Sequence, residues 1–164
     1  MSANLGFSLP RERTCCFTGH RNVPSNIYQQ LKLKIEDQIR FSTAHGITRY
    51  LAGGARGFDA LAAAAVIVLR DREKLPIELI LALPYPNQSQ NWPYYERKLH
   101  DEIKQRADGI VMLYPEYREG CLLARNRFMA DNSSLCVAYL THNRGGTYST
   151  VKYCERIGVM VVVF

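Results

Sequence analysis

The chain has 164 residues, of which 47% are hydrophobic and 22% are charged, and its formal net charge is +6. This composition is typical of a folded globular protein and excludes collagen-like, coiled-coil and largely disordered chains. We expect one domain over residues 1–164, long enough to bury a core without disulfides or metals. The longest apolar runs, such as residues 61–69, are too short to span a bilayer. Residues 1–13 lack the apolar stretch of a signal peptide.

The cysteines and the basic residues give two further indications. The five cysteines form no Cys-x-x-Cys pair, and their odd number argues against a disulfide framework. We therefore expect a reduced, cytoplasmic protein with small buried thiols and no membrane partner. The 15 arginines outnumber the 6 lysines, and arginine is preferred where phosphate or carboxylate is held by two parallel hydrogen bonds. Base composition of the genome is the alternative explanation for that bias.

Apolar periodicity predicts short strands that alternate with helices. The first strand covers residues 14–18, and Ser25 is the expected N-cap of a helix at residues 25–44. The following elements are a strand at 48–52, a helix at 58–73, a strand at 77–83, a helix at 92–107, a strand at 109–114, a helix at 122–132, a strand at 135–141, a helix at 147–157 and a strand at 159–164. Because strands three to six are almost continuously apolar, we expect both faces of the sheet to be covered.

This order of elements predicts an α/β fold. We expect a Rossmann-like, doubly wound, mostly parallel sheet of about six strands with helices on both faces. In such a sheet, ligands bind beyond the carboxyl ends of the strands. The loops that follow strands one, two, four and five are therefore the loops in which binding residues are expected.

Each of these four loops combines glycine with arginine. Glycine lets the backbone approach a ligand closely, a helix N-terminus attracts phosphate, and arginine adds charge-assisted contacts. The pattern predicts a small anionic ligand, a nucleotide or a phosphoribose compound. The predicted binding residues are Thr18, Gly19, Arg21, Gly53, Gly54, Arg56, Gly57, Asp59, Arg125, Arg127, Gly145, Gly146 and Thr147.

Several side chains in these loops keep two interpretations. Asp59 either complements the dipole of its helix or accepts hydrogen bonds from a ribose or a base. His20 and His142 either contact the ligand or are simply exposed. Outside these loops, four aromatic residues that follow strand three either stack on a base or pack over the edge of the sheet: Tyr85, Trp92, Tyr94 and Tyr95.

The sequence contains none of the common catalytic or phosphate-binding signatures. It has no Walker-type loop, no GxGxxG after the first strand and no GxSxG elbow. The four histidines are too widely spaced for a metal site. We therefore predict no catalytic residue and no metal ligand, and a nucleotide-type ligand is the only bound molecule that the loops indicate.

Four motifs in order resemble the SLOG superfamily, which joins the DprA/Smf DNA-processing proteins, the LOG-type phosphoribohydrolases and the YpsA-like proteins. The motifs are TGHR at residues 18–21, GGARGFD at 53–59, RNRFMADNS at 125–133 and GGT at 145–147. The DprA pattern has a G-S-R turn, an S-G-x-A-x-G-I-D loop, an R-N-R-x-I-A segment and a late glycine-rich turn. The short chain that begins with TGHR is most similar to the YpsA-like branch. The resemblance implies a Rossmann-like fold with a nucleotide-type site in these loops.

The resemblance leaves three hypotheses for the function. The first is a sensor or carrier that binds a nucleotide or nucleotide derivative without strong catalysis. The second is a DprA-like module that binds single-stranded nucleic acid, and the third is a LOG-like nucleotide phosphoribohydrolase. The third is the weakest, because Thr150 stands where those hydrolases carry their catalytic glutamate in PGGxGTxxE, and threonine does not titrate. The resemblance also implies a homodimer.

Overall fold

The structure is a computed structural model that describes residues 9–164. After a short 3-10 helix at Arg11–Arg13, strands and helices alternate along the chain. The strands are β1 (Thr14–Gly19), β2 (Arg49–Ala52), β3 (Glu78–Leu83), β4 (Gly109–Met112), β5 (Leu135–Tyr139) and β6 (Met160–Val163). The helices are α1 (Tyr28–Ala44), α2 (Phe58–Arg72), α3 (Tyr94–Arg106), α4 (Cys121–Asp131) and α5 (Gly145–Arg156). Every helix and strand that the periodicity predicts is present in this order.

The six strands form one parallel sheet in the order β4-β3-β2-β1-β5-β6. One face is covered by α1 and α2, with α3 packed beside α2, and the other face by α4 and α5. The apolar side chains of α1 that recur every four positions, Leu31, Ile35 and Ile39, are all buried. The predicted α/β architecture with helices on both faces is therefore confirmed.

The start of α1 differs from the prediction. The helix begins at Tyr28 with Ile27 as its N-cap, and among the described residues no side chain caps it. Residues 24–28 form a backbone turn instead, in which the Ile27 N–H donates to the Pro24 carbonyl at 3.2 Å and the Tyr28 N–H donates to the Ser25 carbonyl at 3.4 Å. The prediction that Ser25 caps the helix is therefore wrong, because that turn takes up the residues before Tyr28.

The two outer strands depart from the prediction that both faces are covered. Ile110 and Met112 of β4 are 40% and 38% exposed, and Met160 and Val163 of β6 are 69% and 50% exposed. The central strands β1, β2, β3 and β5 are buried along almost their whole length. Apolar composition alone does not distinguish an edge strand from a central strand, so the sequence missed this difference.

All five cysteines are buried, free thiols. The Sγ atoms of Cys16 in β1, Cys136 in β5 and Cys154 in α5 lie within 4.8 Å of one another. They pack in the apolar layer between the sheet and the helices α4 and α5. Burial raises the pKa of the Cys15 thiol on the opposite face of β1 well above its usual value.

Two predictions concern membranes and export. Within residues 9–164, none of the helices is both long enough and apolar enough to cross a bilayer. The predicted absence of a signal-like stretch falls largely on residues 1–8, which lie outside the described residues.

Candidate functional site

A cavity of about 890 Å³ lies at the carboxyl ends of β1 and β5. The two strands are neighbours, and the strand order reverses between them, because β2, β3 and β4 follow on one side and β6 on the other. Ligands of open parallel sheets bind at such a reversal, and the volume lies within the range of small-molecule sites. We call this space the switch-point cavity.

Seven of the thirteen predicted binding residues line the switch-point cavity: Thr18, Gly19, Arg21, Asp59, Arg125, Gly146 and Thr147. Gly54, Arg56 and Gly57 instead line a neighbouring, smaller cavity. Arg127 is separate from both, with its guanidinium over the ring of Tyr153 at 5.6 Å. Gly53 and Gly145 line neither cavity; Gly53 begins the loop after β2, and Gly145 is the first residue of α5. Most of the predicted residues therefore lie at one edge of the sheet, around two adjacent cavities that the sequence did not distinguish.

Asp59 and Arg125 form a buried polar centre around the peptide groups of Gly53. The Asp59 carboxylate accepts hydrogen bonds from the N–H groups of Gly53, at 3.1 Å, and Ala55, at 3.4 Å. The Arg125 guanidinium donates to the Gly53 carbonyl and, through Nε, to the side chain of Asn126 at 2.8 Å. Asp59 is 6% exposed and Arg125 is 4% exposed. The N–H and the carbonyl of Gly53 thus form hydrogen bonds with a buried carboxylate and a buried guanidinium.

Burial and charge act in opposite directions on this pair. Burial raises the pKa of Asp59, while the charge of Arg125 and the two backbone N–H groups oppose the rise. Burial also lowers the pKa of Arg125, and Asp59 opposes that change. The sequence offered two roles for Asp59, and the structure adds a third contact, with the loop itself. The N–H groups of Gly53 and Ala55, which would suit an anionic ligand, donate instead to the Asp59 carboxylate.

Gly57 joins the first two loops tightly. Its φ is +72°, in the region that favours glycine, and a Cβ there would overlap the backbone of Arg21. The next residue, Phe58, donates its N–H to the His20 carbonyl at 3.1 Å. The loop after β2 therefore fixes the position of the loop after β1.

His20 and His142 form a stacked pair in the wall of the switch-point cavity. Their ring centres are 4.3 Å apart, and the ring planes differ by 8°. The Thr141 N–H donates to His20 Nε2 at 2.9 Å, so the remaining proton of the neutral ring is on Nδ1. Burial, and then the nearby His142, lower the pKa of His20, which favours the neutral form. The sequence placed both histidines in ligand-side loops but could not show that they touch.

The N-terminus of α5 reaches the switch-point cavity through Gly146 and Thr147. Arg144 is the N-cap in extended conformation, and no side chain within residues 9–164 caps this helix. The first N–H groups of a helix lack partners inside the helix and carry partial positive charge. Arg21 adds an exposed guanidinium to the same cavity. Both features contribute positive potential at the switch-point cavity.

Three polar side chains of α4 and α5, among them Thr150 at the position of the LOG-type glutamate, lie outside the lining of the switch-point cavity. Thr150 is 2% exposed, and its hydroxyl donates to the Gly146 carbonyl within α5 at 2.8 Å. Glu155, the glutamate that follows Thr150 in α5, forms an exposed ion pair with Lys152. Asp131 accepts a hydrogen bond from the Tyr153 hydroxyl at 2.6 Å.

The aromatic residues after β3 separate into three places. Trp92 lines the smaller cavity and meets His100 edge-on, with ring centres 5.2 Å apart. Tyr94 and Tyr95 pack against each other and remain exposed, and Tyr85 pairs with Tyr117. The sequence singled out Trp92 but missed His100, whose buried position on α3 only tertiary packing reveals.

Comparison with known families shows which family the chain belongs to. A family model described as the YspA SLOG family (YpsA) matches residues 15–156, which include all the loops described above. The chain belongs to the YpsA SLOG family. UPF0398 protein OB1025 of Oceanobacillus iheyensis is a relative with 24% identity over 139 residues, which covers 79% of this chain and 74% of that protein.

Solved structures with a similar fold include two DNA processing proteins A. That of Helicobacter pylori, whose structure concerns its single-stranded DNA binding mode, has a TM-score of 0.67 and 20% identity, covering 97% of this chain and 69% of that one. That of Streptococcus pneumoniae has a TM-score of 0.68 and 17% identity, covering 94% and 51%. At these identities the likeness establishes the fold, and the YpsA chain spans about half of the pneumococcal protein.

Proposed function

We propose that this YpsA-family chain binds a phosphate-bearing nucleotide ligand in the switch-point cavity, as a sensor or carrier without strong catalysis. The observation that carries the proposal is that the N-terminus of α5 and the guanidinium of Arg21 line one cavity at the reversal of strand order. Both features favour a phosphate group. The stacked His20–His142 pair adds a flat surface and a neutral Nδ1–H donor.

The buried centre supports binding rather than bond cleavage. A general acid or base must reach the reacting group and exchange protons with it. The Asp59 carboxylate is held by two loop amides and faces the charge of Arg125. Its role in this proposal is to fix the shape of the loop that borders the ligand, and Arg125 acts through the same loop.

Calorimetric titration with a panel of nucleoside phosphates, cyclic dinucleotides and ADP-ribose tests the proposal. We expect at least one of these compounds to bind and Arg21→Ala to weaken it about tenfold or more, since a charge-assisted hydrogen bond is lost. The matched control is Arg72→Ala, because Arg72 is also exposed but lies in the last turn of α2, at the opposite edge of the sheet. Equal affinities for both variants, or no binding by any compound, would contradict the proposal.

Single-stranded nucleic acid is a second candidate ligand, favoured by the fold shared with the Helicobacter pylori protein and by the net charge of +6. Such binding depends on phosphate contacts along the strand, so its affinity falls steeply with salt. Fluorescence anisotropy with a labelled oligo-dT at several salt concentrations separates the two candidates. Strong, salt-sensitive binding of the oligonucleotide with no binding of mononucleotides would favour this second function.

A further inference from the structure

A second cavity of about 310 Å³ adjoins the switch-point cavity. It lies between α2, α3 and the loop after β1, and most of its wall is apolar. We call it the Trp92 cavity. Its volume is at the lower end of the range for small-molecule sites, so it suits one flat ring system rather than a whole nucleotide.

The charged and imidazole side chains that line only the Trp92 cavity are Arg56, Glu96 and His100. Arg56 and Glu96 form an ion pair with each other across the wall. His100 is 5% exposed, and its Nε2 atom has no hydrogen-bond partner among the described residues. Burial lowers the pKa of His100, so the ring is neutral and Nε2 either donates or accepts, according to the tautomer. A buried polar atom without a partner costs stability, and a bound ligand would supply that partner.

The two cavities share part of their walls. Arg21, Asn22, Ala55 and Asp59 line both of them. The two cavities are therefore adjacent, and a molecule that extended past these residues would occupy both spaces. The N-terminus of α5 lines only the switch-point cavity, Arg21 lines both cavities, and the indole of Trp92 lines only the Trp92 cavity.

From this arrangement, and on the basis of the proposed function, we infer that the Trp92 cavity holds the base of the nucleotide whose phosphate lies in the switch-point cavity. The base contacts the indole of Trp92, since aromatic stacking accepts any nucleobase. One nitrogen or exocyclic group of the base forms a hydrogen bond with His100 Nε2. The selectivity among bases then comes from His100 and from the Arg56–Glu96 pair.

Trp92 is the single tryptophan of the chain, so intrinsic fluorescence reports occupancy of its cavity directly. We would titrate AMP, GMP, CMP and UMP, with ribose 5-phosphate and inorganic phosphate as probes that lack a base. We expect at least one nucleotide to quench the Trp92 emission in parallel with its calorimetric binding. Ribose 5-phosphate should bind at least tenfold more weakly and leave the emission unchanged.

A pair of substitutions on α2 tests the cavity independently. Ala60 lines the Trp92 cavity but not the switch-point cavity, so Ala60→Leu should fill the space of the base and weaken nucleotide binding at least tenfold. Ala64→Leu is the control, because Ala64 lies one turn further along the helix, is also partly buried, and is outside both linings. Thermal melting verifies that both variants fold. Should Ala60→Leu fail to fold, the fluorescence of the unaltered protein decides alone.

The outcomes distinguish the two proposals. Nucleotide binding with unchanged Trp92 emission and unchanged affinity of Ala60→Leu would overturn the inference and place the base elsewhere, for example against the His20–His142 pair. The proposed function would then stand. Failure of every nucleotide and of ribose 5-phosphate to bind would overturn both.

Discussion

Gly53 lies between Asp59 and Arg125, so the substitution Gly53→Ala tests the buried polar centre by adding one methyl group. A Cβ added at Gly53 would lie 2.6 Å from Arg125 Cζ and 2.8 Å from Asp59 Oδ2. Both distances are shorter than van der Waals contact, and both neighbours are buried ionisable groups that cannot move freely. The backbone of Gly53 is outside the left-handed region, so an effect of Gly53→Ala would come from these contacts.

The magnitude follows from the interactions that must shift. The added Cβ would displace the two buried charges from their hydrogen bonds to Gly53, and leaving a buried charge uncompensated costs about 3–5 kcal/mol. Replacing glycine by alanine returns about 0.4–1 kcal/mol through the unfolded chain. We expect Gly53→Ala to lower the free energy of unfolding by roughly 3 kcal/mol. For a chain of this size that corresponds to a fall of roughly 6–12 °C in melting temperature.

Gly146→Ala is the matched control for this measurement. Gly146 also belongs to a glycine pair at the ligand edge, but among the described residues no atom lies within 4 Å of its added Cβ. It lies near the start of α5, so alanine there should leave stability unchanged or raise it slightly. Differential scanning calorimetry of both variants checks the prediction. Melting temperatures within about 1 °C of each other would refute the role assigned to Gly53 and its two partners.

Three other measurements follow from the same structure. Arg125→Met should lower the free energy of unfolding by about 3 kcal/mol, because it leaves the Asp59 carboxylate buried without the opposite charge of Arg125. The control Arg127→Met, at an exposed position of the same helix, should change the free energy of unfolding by less than about 0.5 kcal/mol. Equal urea midpoints for the two variants would contradict this prediction. Because the pKa of His100 is lowered in the folded protein, His100 takes up a proton at higher pH in the unfolded state, so stability should hold above about pH 6.5 and fall below it. His100→Gln should therefore reduce the difference between the urea midpoints at pH 7.5 and 5.5, and an unchanged difference would contradict this prediction. All five thiols are buried, so a thiol-reactive dye should label them fast only in denaturant, and rapid native labelling of any thiol would be inconsistent with the structure.

The elements and their order could be predicted because they depend on local patterns. The recurrence of Leu31, Ile35 and Ile39 on one face of α1 is visible in the sequence, and the apolar strands are separated by glycine and proline. The entry to α1 could not be predicted from Ser25, because a backbone turn competes with a side-chain cap. The exposure of β4 and β6 depends on strand order, which the sequence did not specify.

The sequence could predict which loops form the candidate site, but not which groups their side chains contact. Glycine and arginine in the loops after strands one, two, four and five predicted a site at the carboxyl edge of the sheet, and most of these residues line the two adjacent cavities there. The destination of each arginine depends on tertiary packing: Arg21 is exposed at the switch-point cavity, Arg56 pairs with Glu96 beside the Trp92 cavity, and Arg125 is buried. The stacking of His20 on His142 joins loops from opposite parts of the chain. No local pattern encodes such a contact.

The position of β1 at the centre of the sheet also governs when the site can form during synthesis. This strand is made early, but one of its two neighbours, β5, lies at Leu135–Tyr139. Pairings between such distant segments slow folding. One edge of β1 must therefore wait until most of the chain has left the ribosome, and an unpaired apolar strand edge can join other chains. A ligand that bridges the loops after β1 and β5 would bind only after this pairing, so it would stabilise molecules in which most of the chain has folded and not early nascent ones.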